Sequence, residues 1–279
     1  MRRWSTLNGC TLALLAVLAV AGFPNSGRAA AGDPLLDYGA DLVSDYASRG
    51  VDLFVSTYDK DKKEHGVFNT APAIQPYLTL HGPSGLSIGV WSSFALVDRE
   101  EDAAHKADPT TGFAGLKRLD EIDYTLAWDF KNKLGGFSAG VIAYQNPNPS
   151  GQTAYDEMYL RWATPFMAAV SPTITHYVVV AGPDPALLGS TYTSLAFSGG
   201  EAINWKLSFG EGSHLQDITA AIGKSFGSVS ATFNVTYRPT PQIVGPYDEK
   251  GHYTVNNVEK SYPKAIAWLT FSYTGSVTE

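Results

Sequence analysis

The stretch "EIDYTLAWDF", Glu121 to Phe130, sets Glu121, Asp123, Thr125, Ala127 and Asp129 at alternate positions, with Ile122, Tyr124, Leu126, Trp128 and Phe130 between them. Successive side chains leave a pleated backbone on opposite faces, so this period belongs to a strand and not to a helix. An apolar face this broad has two natural surroundings: the core between two packed sheets, or the lipid around a closed barrel. The rest of the chain decides between them.

The same alternation recurs. In "LLDYGADLVSDYASRG", Asp37, Asp41, Asp45 and Arg49 share one face, while Leu36, Tyr38, Leu42 and Tyr46 share the other. "INWKLSF" aligns Ile203, Trp205, Leu207 and Phe209; "SVSATFNVTYR" aligns Val229, Ala231, Phe233, Val235 and Tyr237; "KAIAWLTFSY" aligns Ala265, Ala267, Leu269, Phe271 and Tyr273. About twelve strands are expected, near 35–48, 69–81, 86–97, 118–131, 136–146, 154–164, 171–181, 189–198, 202–210, 215–226, 228–238 and 262–274. Many approach the roughly 9 to 11 residues a tilted strand needs to cross a bilayer. The connections alternate too: the first, third, fifth, seventh and eleventh are long or polar, and the second, fourth, eighth and tenth are tight, as in "GPSG" and "NKLG". The sixth, "PFMAAVSP", and the ninth, "GEGSH", depart from that rhythm. Short turns at one end and long loops at the other are the habit of membrane barrels with an even strand number. Aromatic residues near strand ends, Tyr46, Trp91, Tyr144, Tyr155, Trp162, Trp205, Tyr237 and Tyr273, are candidates for interfacial girdles.

The amino terminus carries Arg2 and Arg3, the apolar run "LALLAVLAVAG" and the small-residue site "AAAG" at 29–32, the three-part layout of a secretory signal. Residues 1–31 are expected to be a cleaved signal peptide and residues 32–279 a single domain. Cys10 is the only cysteine and lies within the signal, so the mature chain offers neither disulfide nor thiolate metal site. The net charge is -7, and loss of Arg2, Arg3 and Arg28 makes the mature chain more acidic, which disfavours a nucleic-acid partner. No window approaches 18 consecutive apolar residues, which excludes a helical membrane protein but not a barrel.

"AIQPYLTLHGPSGLSIGVWSSF", "DEIDYTLAWDF", "FSAGVIAYQNPN" and "YDEMYLRW", together with "SDYASRGVD" near the mature start, resemble the TorF-type family of outer-membrane porins in order and spacing. The resemblance covers roughly the first half of the mature chain. It implies an all-β fold, a single antiparallel transmembrane β-barrel of the bacterial outer membrane, and a porin-like channel for passive diffusion of small hydrophilic solutes or ions. Outer-membrane lipid, the solutes themselves and the barrel assembly machinery are the implied partners. The tail "TGSVTE" departs from barrels that end on an aromatic residue, since Phe271 and Tyr273 lie several positions inside.

Candidates for chemistry are few. "GFSAG", Gly136 to Gly140, matches the G-x-S-x-G of esterases, with Asp184 or Asp217 and His214 or His252 available to complete a triad. That motif needs a strand, a sharp turn and a helix, whereas Ser138 is followed by the strand-like "VIAYQ", so no enzyme is expected. The six histidines are scattered with no metal spacing, "DREEDAAHKAD" lacks the glycine and spacing of a calcium loop, and the sequon at Asn234 falls inside a strand. Neither metal nor cofactor is expected. The residues expected to line a pore are Asp37, Asp41, Asp45, Arg49, Glu121, Asp123, Asp129, Glu157, Arg161 and Arg238, whose excess of carboxylates points to a preference for cations. A non-conducting structural or adhesive barrel, in which acids and arginines neutralise one another, is the alternative. A secreted envelope esterase or a soluble β-sandwich is the remaining one.

Overall fold

The computed structural model describes residues 34–49, 51–52, 72–96, 120–145, 155–167, 169–183, 185, 187–213, 216–239, 252–255, 258–261 and 265–278. Its strands are β1 (Pro34–Val43), β2 (Ala47–Ser48), β3 (Val51–Asp52), β4 (Ala73–His81), β5 (Leu86–Ala95), β6 (Glu121–Asn132), β7 (Gly135–Gln145) and β8 (Tyr155–Ala163). They continue with β9 (Thr173–Ala181), β10 (Thr191–Gly199), β11 (Asn204–Gly212), β12 (Gln216–Phe226), β13 (Val229–Tyr237), β14 (His252–Val255), β15 (Val258–Ser261) and β16 (Ala265–Thr278). Twelve of them close an antiparallel barrel in the order β1-β16-β13-β12-β11-β10-β9-β8-β7-β6-β5-β4. The pairs β2–β3 and β14–β15 are small separate hairpins.

The alternation read from the sequence becomes the two faces of this wall. On β6, Tyr124 lies opposite Val90 of β5 and Leu126 opposite Ile88, while Asp123 lies opposite Trp91 and Thr125 opposite Gly89. The first set faces outward: Ile88, Tyr124, Leu160, Ile222 and Phe271 are each half or more exposed. A soluble sandwich would bury such residues. Instead the small cluster of buried apolar residues, Val43, Ala73 and Ala95 with Tyr46 and Trp268 against it, lies inside the barrel near one end. The apolar side of "EIDYTLAWDF" is therefore the outer surface of a closed barrel, and the β-sandwich alternative is excluded.

One rim carries the tight turns. Gly135 and Gly227, at φ of 125° and 66°, occupy backbone conformations that glycine adopts without steric cost. Along this short-turn rim, Trp128, Phe130, Phe137 and Trp162 form an outward row with successive centroids 4.6, 5.0 and 6.2 Å apart. The two indole N–H groups donate to the carbonyls of Ser84 and Leu134, each at 2.8 Å. Rings with one polar edge satisfied at the rim suit a membrane–water boundary. Four of the proposed girdle residues do not face outward. Trp91, Tyr144 and Tyr155 fall on the inward face shared by Asp123, and Tyr46 is drawn inside to hydrogen-bond Glu121.

Strand ends differ from the expected ones mainly at the seam. β1 stops at Val43, five residues before the anticipated end, so Asp45 and Arg49 do not lie on the wall. β16 runs on to Thr278, and its tail pairs with β1 as far as Pro34. The non-aromatic "TGSVT" is thus the last rung of barrel closure.

Candidate functional site

After β1 the chain turns into the bore. Ser44 fixes the exit: its amide donates to the Leu269 carbonyl and its hydroxyl accepts from the Leu269 amide, both at 2.9 Å. The β2–β3 hairpin follows, with Arg49 in its turn at φ of 49°. In the barrel order β9 is six strands from β1 in either direction, the far side of the lumen. The five residue steps from Ser44 to Arg49 reach about 17 Å when extended, and the arginine side chain adds the remainder. Its guanidinium donates to both oxygens of Glu157 on β8, at 2.8 and 2.6 Å, and lies over the rings of Tyr177 on β9 and Tyr192 on β10, at 4.4 and 4.8 Å. The hairpin therefore spans the lumen from wall to wall.

The far anchor is a polar network built from register. Tyr155, Glu157, Tyr159 and Arg161 share the inner face of β8, opposite Tyr144, Ile142, Gly140 and Ser138 of β7. Tyr144 donates to Glu157 at 2.9 Å and stacks on Tyr155 at 4.5 Å. Tyr192 donates to Asp217 on β12 at 2.6 Å, and Thr219 completes that carboxylate at 3.1 Å. Nearer the root, Tyr46 donates to Glu121 at 2.9 Å while its ring meets Trp91 at 5.6 Å. Burial, reinforced by the negative Glu121, holds the Tyr46 phenol well above its usual range, so it remains a donor. Burial works against the Arg49 charge, but the hydrogen bonds and charge of Glu157 outweigh it and the guanidinium stays protonated.

The ten residues expected to line a pore all face the interior, in two sets. Asp45, Arg49, Glu121, Asp123, Glu157 and Arg238 gather near the long-loop end, where Asp45, Glu157 and Arg238 are buried. Asp123 has an oxygen there that is buried with no hydrogen-bond partner. Asp37, Asp129 and Arg161 lie toward the short-turn end, and Asp41 between, opposite Gln75 and Ser272. Asp37 meets His81 at 2.9 Å. The expectation that Asp45 and Arg49 extend the face of β1 is corrected: they belong to the inserted hairpin, because the ladder to β16 ends at Val43 and Ser44 turns the chain inward. Sequence reasoning placed Tyr144 and Tyr155 in the girdles and offered Asp217 to a triad, and it missed Tyr177 and Tyr192. Their parity held the signal, since each tyrosine or acid sits on the polar side of its own strand.

Bulky inner rings need room, and glycine on the neighbouring strand supplies it. A Cβ at Gly140 would lie 2.7 Å from the Tyr159 ring, and one at Gly210 would collide with both Tyr192 Oη and Asp217. Replacing Gly210 by alanine is expected to break the Tyr192–Asp217 bond and lower stability by about 1–2 kcal/mol. Thermal unfolding of the refolded barrel measures this, and an unchanged midpoint would show that the tyrosine has another resting place.

The opposite wall is different. β13 and β16 present Ser230, Thr232, Asn234, Thr270, Ser272 and Thr274 inward, beside Asp37, Gly39 and Asp41 of β1. Asn234 is bonded to Thr270 at 3.1 Å, so the sequon lies in the bore. At the short-turn rim lies a cavity of about 740 Å³, lined by Asp37, His81, Thr274 and Ser276 of the inner face and by Tyr38 and Tyr273 of the outer face. Ser138 sits mid-strand in β7 with its hydroxyl 3.3 Å from that of Tyr159, not at the turn a nucleophile needs. Asp184, His214 and the acidic segment 98–108 lie outside the described residues.

No protein-family model matches the chain, and no curated protein matches it. Solved structures do. Two substituted forms of the Rh. blastica porin align over 86% of this chain, covering 99% and 98% of their own length, at 9% identity and TM-scores of 0.32 and 0.30. A third, described as "Asymmetric conductivity of engineered proteins", aligns over 86% of this chain and 99% of its own at 10% identity and a TM-score of 0.28.

Proposed function

We propose that the protein is a porin-like channel of the bacterial outer membrane, passing small hydrophilic solutes or ions and preferring cations. The observation that carries this reading is the hydroxyl- and carboxylate-lined interior of a closed barrel whose outer face is apolar, with a cavity of about 740 Å³ at its short-turn rim. The TorF-type resemblance and the signal-like amino terminus support the same location. Between the Arg49 hairpin and the short-turn mouth, solutes meet the Ser/Thr wall of β13 and β16 and the carboxylates of β1.

The preference for cations follows from charge. Among the described inward residues, Asp37, Asp41, Asp45, Glu121, Asp123, Asp129, Glu157 and Asp217 outnumber Arg49, Lys131, Arg161, Lys206 and Arg238. Carboxylates around a narrow aqueous path raise the local cation concentration, and salt weakens them as the Debye length falls from about 10 Å at 0.1 M to about 3 Å at 1 M. In planar bilayers under a potassium chloride gradient, the reversal potential is expected to be cation-selective. It should shrink at high salt and when Asp41 and Asp123 become asparagine. An anion-selective potential, or one indifferent to both substitutions, would remove these carboxylates from the path.

One observation favours a second reading, a non-conducting structural barrel. Asp45, Thr236, Arg238 and Ile266 are all at most 2% exposed near the long-loop end. Absence of any current from correctly folded protein would select that reading.

A further inference from the structure

The groups that hold Arg49 form a receptor for a planar cation. Glu157, whose side chain is 3% exposed, presents both oxygens to the guanidinium, and Tyr144 steadies one of them. The faces of Tyr177 and Tyr192 flank the charge. Two parallel charge-assisted bonds and two aromatic faces are the chemistry that selects guanidinium over a compact ammonium ion.

Receptor and occupant are held very differently. Glu157, Tyr144, Tyr177 and Tyr192 belong to β7–β10, wall strands paired with one another over six to nine residues, with one register shift between Asp156 and Glu157. Arg49 comes from a hairpin whose strands pair over two residues each. It also leaves a fifth of its own side chain exposed, so solvent reaches the edge of the site. A rigid site filled by a tethered group is open to competition from a free ligand bearing the same group.

We propose that Arg49 is a tethered surrogate ligand, and that free solutes carrying a guanidinium head compete for the Glu157–Tyr177–Tyr192 site, displacing the hairpin and widening the bore. The effect on current rests on the channel reading above; the binding does not. A short tether sustains an effective concentration on the order of millimolar, so competition with the intact chain requires free ligand in that range. Removing Arg49 removes the competitor.

Methylguanidinium chloride is the probe, with methylammonium chloride as the point-charge control and potassium chloride at equal ionic strength. Calorimetry on the full refolded chain in detergent is expected to show Arg49→Ala binding methylguanidinium at least tenfold more tightly than the unsubstituted protein, and methylammonium more weakly. Glu157→Gln, checked for folding by heat-modifiable gel mobility, should not bind. In bilayers, millimolar methylguanidinium should raise the conductance of the unsubstituted channel above that in matched potassium chloride. It should leave the already widened Arg49→Ala channel no wider. Lack of binding by folded Arg49→Ala, or equal binding by Glu157→Gln, overturns the proposal. If Arg49→Ala does not fold, the unsubstituted protein decides alone, since indifference to millimolar methylguanidinium in both heat and current overturns it. Binding without current in any form sinks the channel reading and leaves the site standing, whereas normal current without binding sinks only the site.

Discussion

Replacing Leu126 by lysine should destabilise the barrel by about 2–4 kcal/mol, the cost of a charge at the lipid-facing midplane of a barrel wall. Leu126 sits at the middle of β6, on the outward face between Ile88 of β5 and Val141 of β7. Its neighbour Thr125 lies between Gly89 and Ile142 on the inward face, and lysine there keeps access to water and to carboxylates. Thr125→Lys should cost under about 1 kcal/mol, the range of positions that do not meet lipid. Urea unfolding of both variants in vesicles gives the comparison. Equal losses would mean that lipid does not cover the apolar face of β6.

Replacing Glu157 by alanine should cost about 2–3 kcal/mol, because it leaves Arg49 deep in the lumen without its carboxylate. The figure lies below the 3–5 kcal/mol of a fully enclosed pair since the guanidinium remains partly in water. Removing Arg49 as well should restore part of the loss. The desolvation penalty of a lone buried charge disappears when both partners go, so the pair is expected to be non-additive in a double-mutant cycle. A double variant whose loss equals the sum of the single losses would show that the two side chains do not depend on each other.

The wall was legible because membrane barrels impose a period of two on every strand. "EIDYTLAWDF" showed its lipid face and its lumen face directly, and β6 takes the orientation its parity demands. The turns were legible for a related reason: "GPSG" and "NKLG" admit few conformations. What parity could not show is where a strand ends. "LLDYGADLVSDYASRG" keeps alternating past Val43, yet the ladder stops there, because Ser44 bonds Leu269, a residue 225 positions away. The destination of Arg49 is a long-range matter of the same kind, set by Glu157, Tyr177 and Tyr192 on three other strands. The interior tyrosines were hidden by chemistry instead. An aromatic ring near a strand end suits either a membrane interface or a wet lumen, and only its hydroxyl partner separates the two. Tyr144 finds Glu157 and Tyr192 finds Asp217, while Trp162 finds the Leu134 carbonyl at the rim.

The tether between Ser44 and Leu269 also orders events in time. β1 is synthesised first among the barrel strands and β16 last, so the seam between them is the contact of greatest sequence separation and the slowest to form. The hairpin hangs from the residue that completes that seam. Before β16 docks, the partially curled sheet has an open side through which the hairpin can move. Once Leu269 bonds Ser44, the hairpin can enter or leave only through the long-loop mouth. Closure and threading are therefore coupled steps. A chain lacking Gly275–Thr278 should loosen both together, with the hairpin becoming accessible to protease at the same denaturant concentration at which the seam opens.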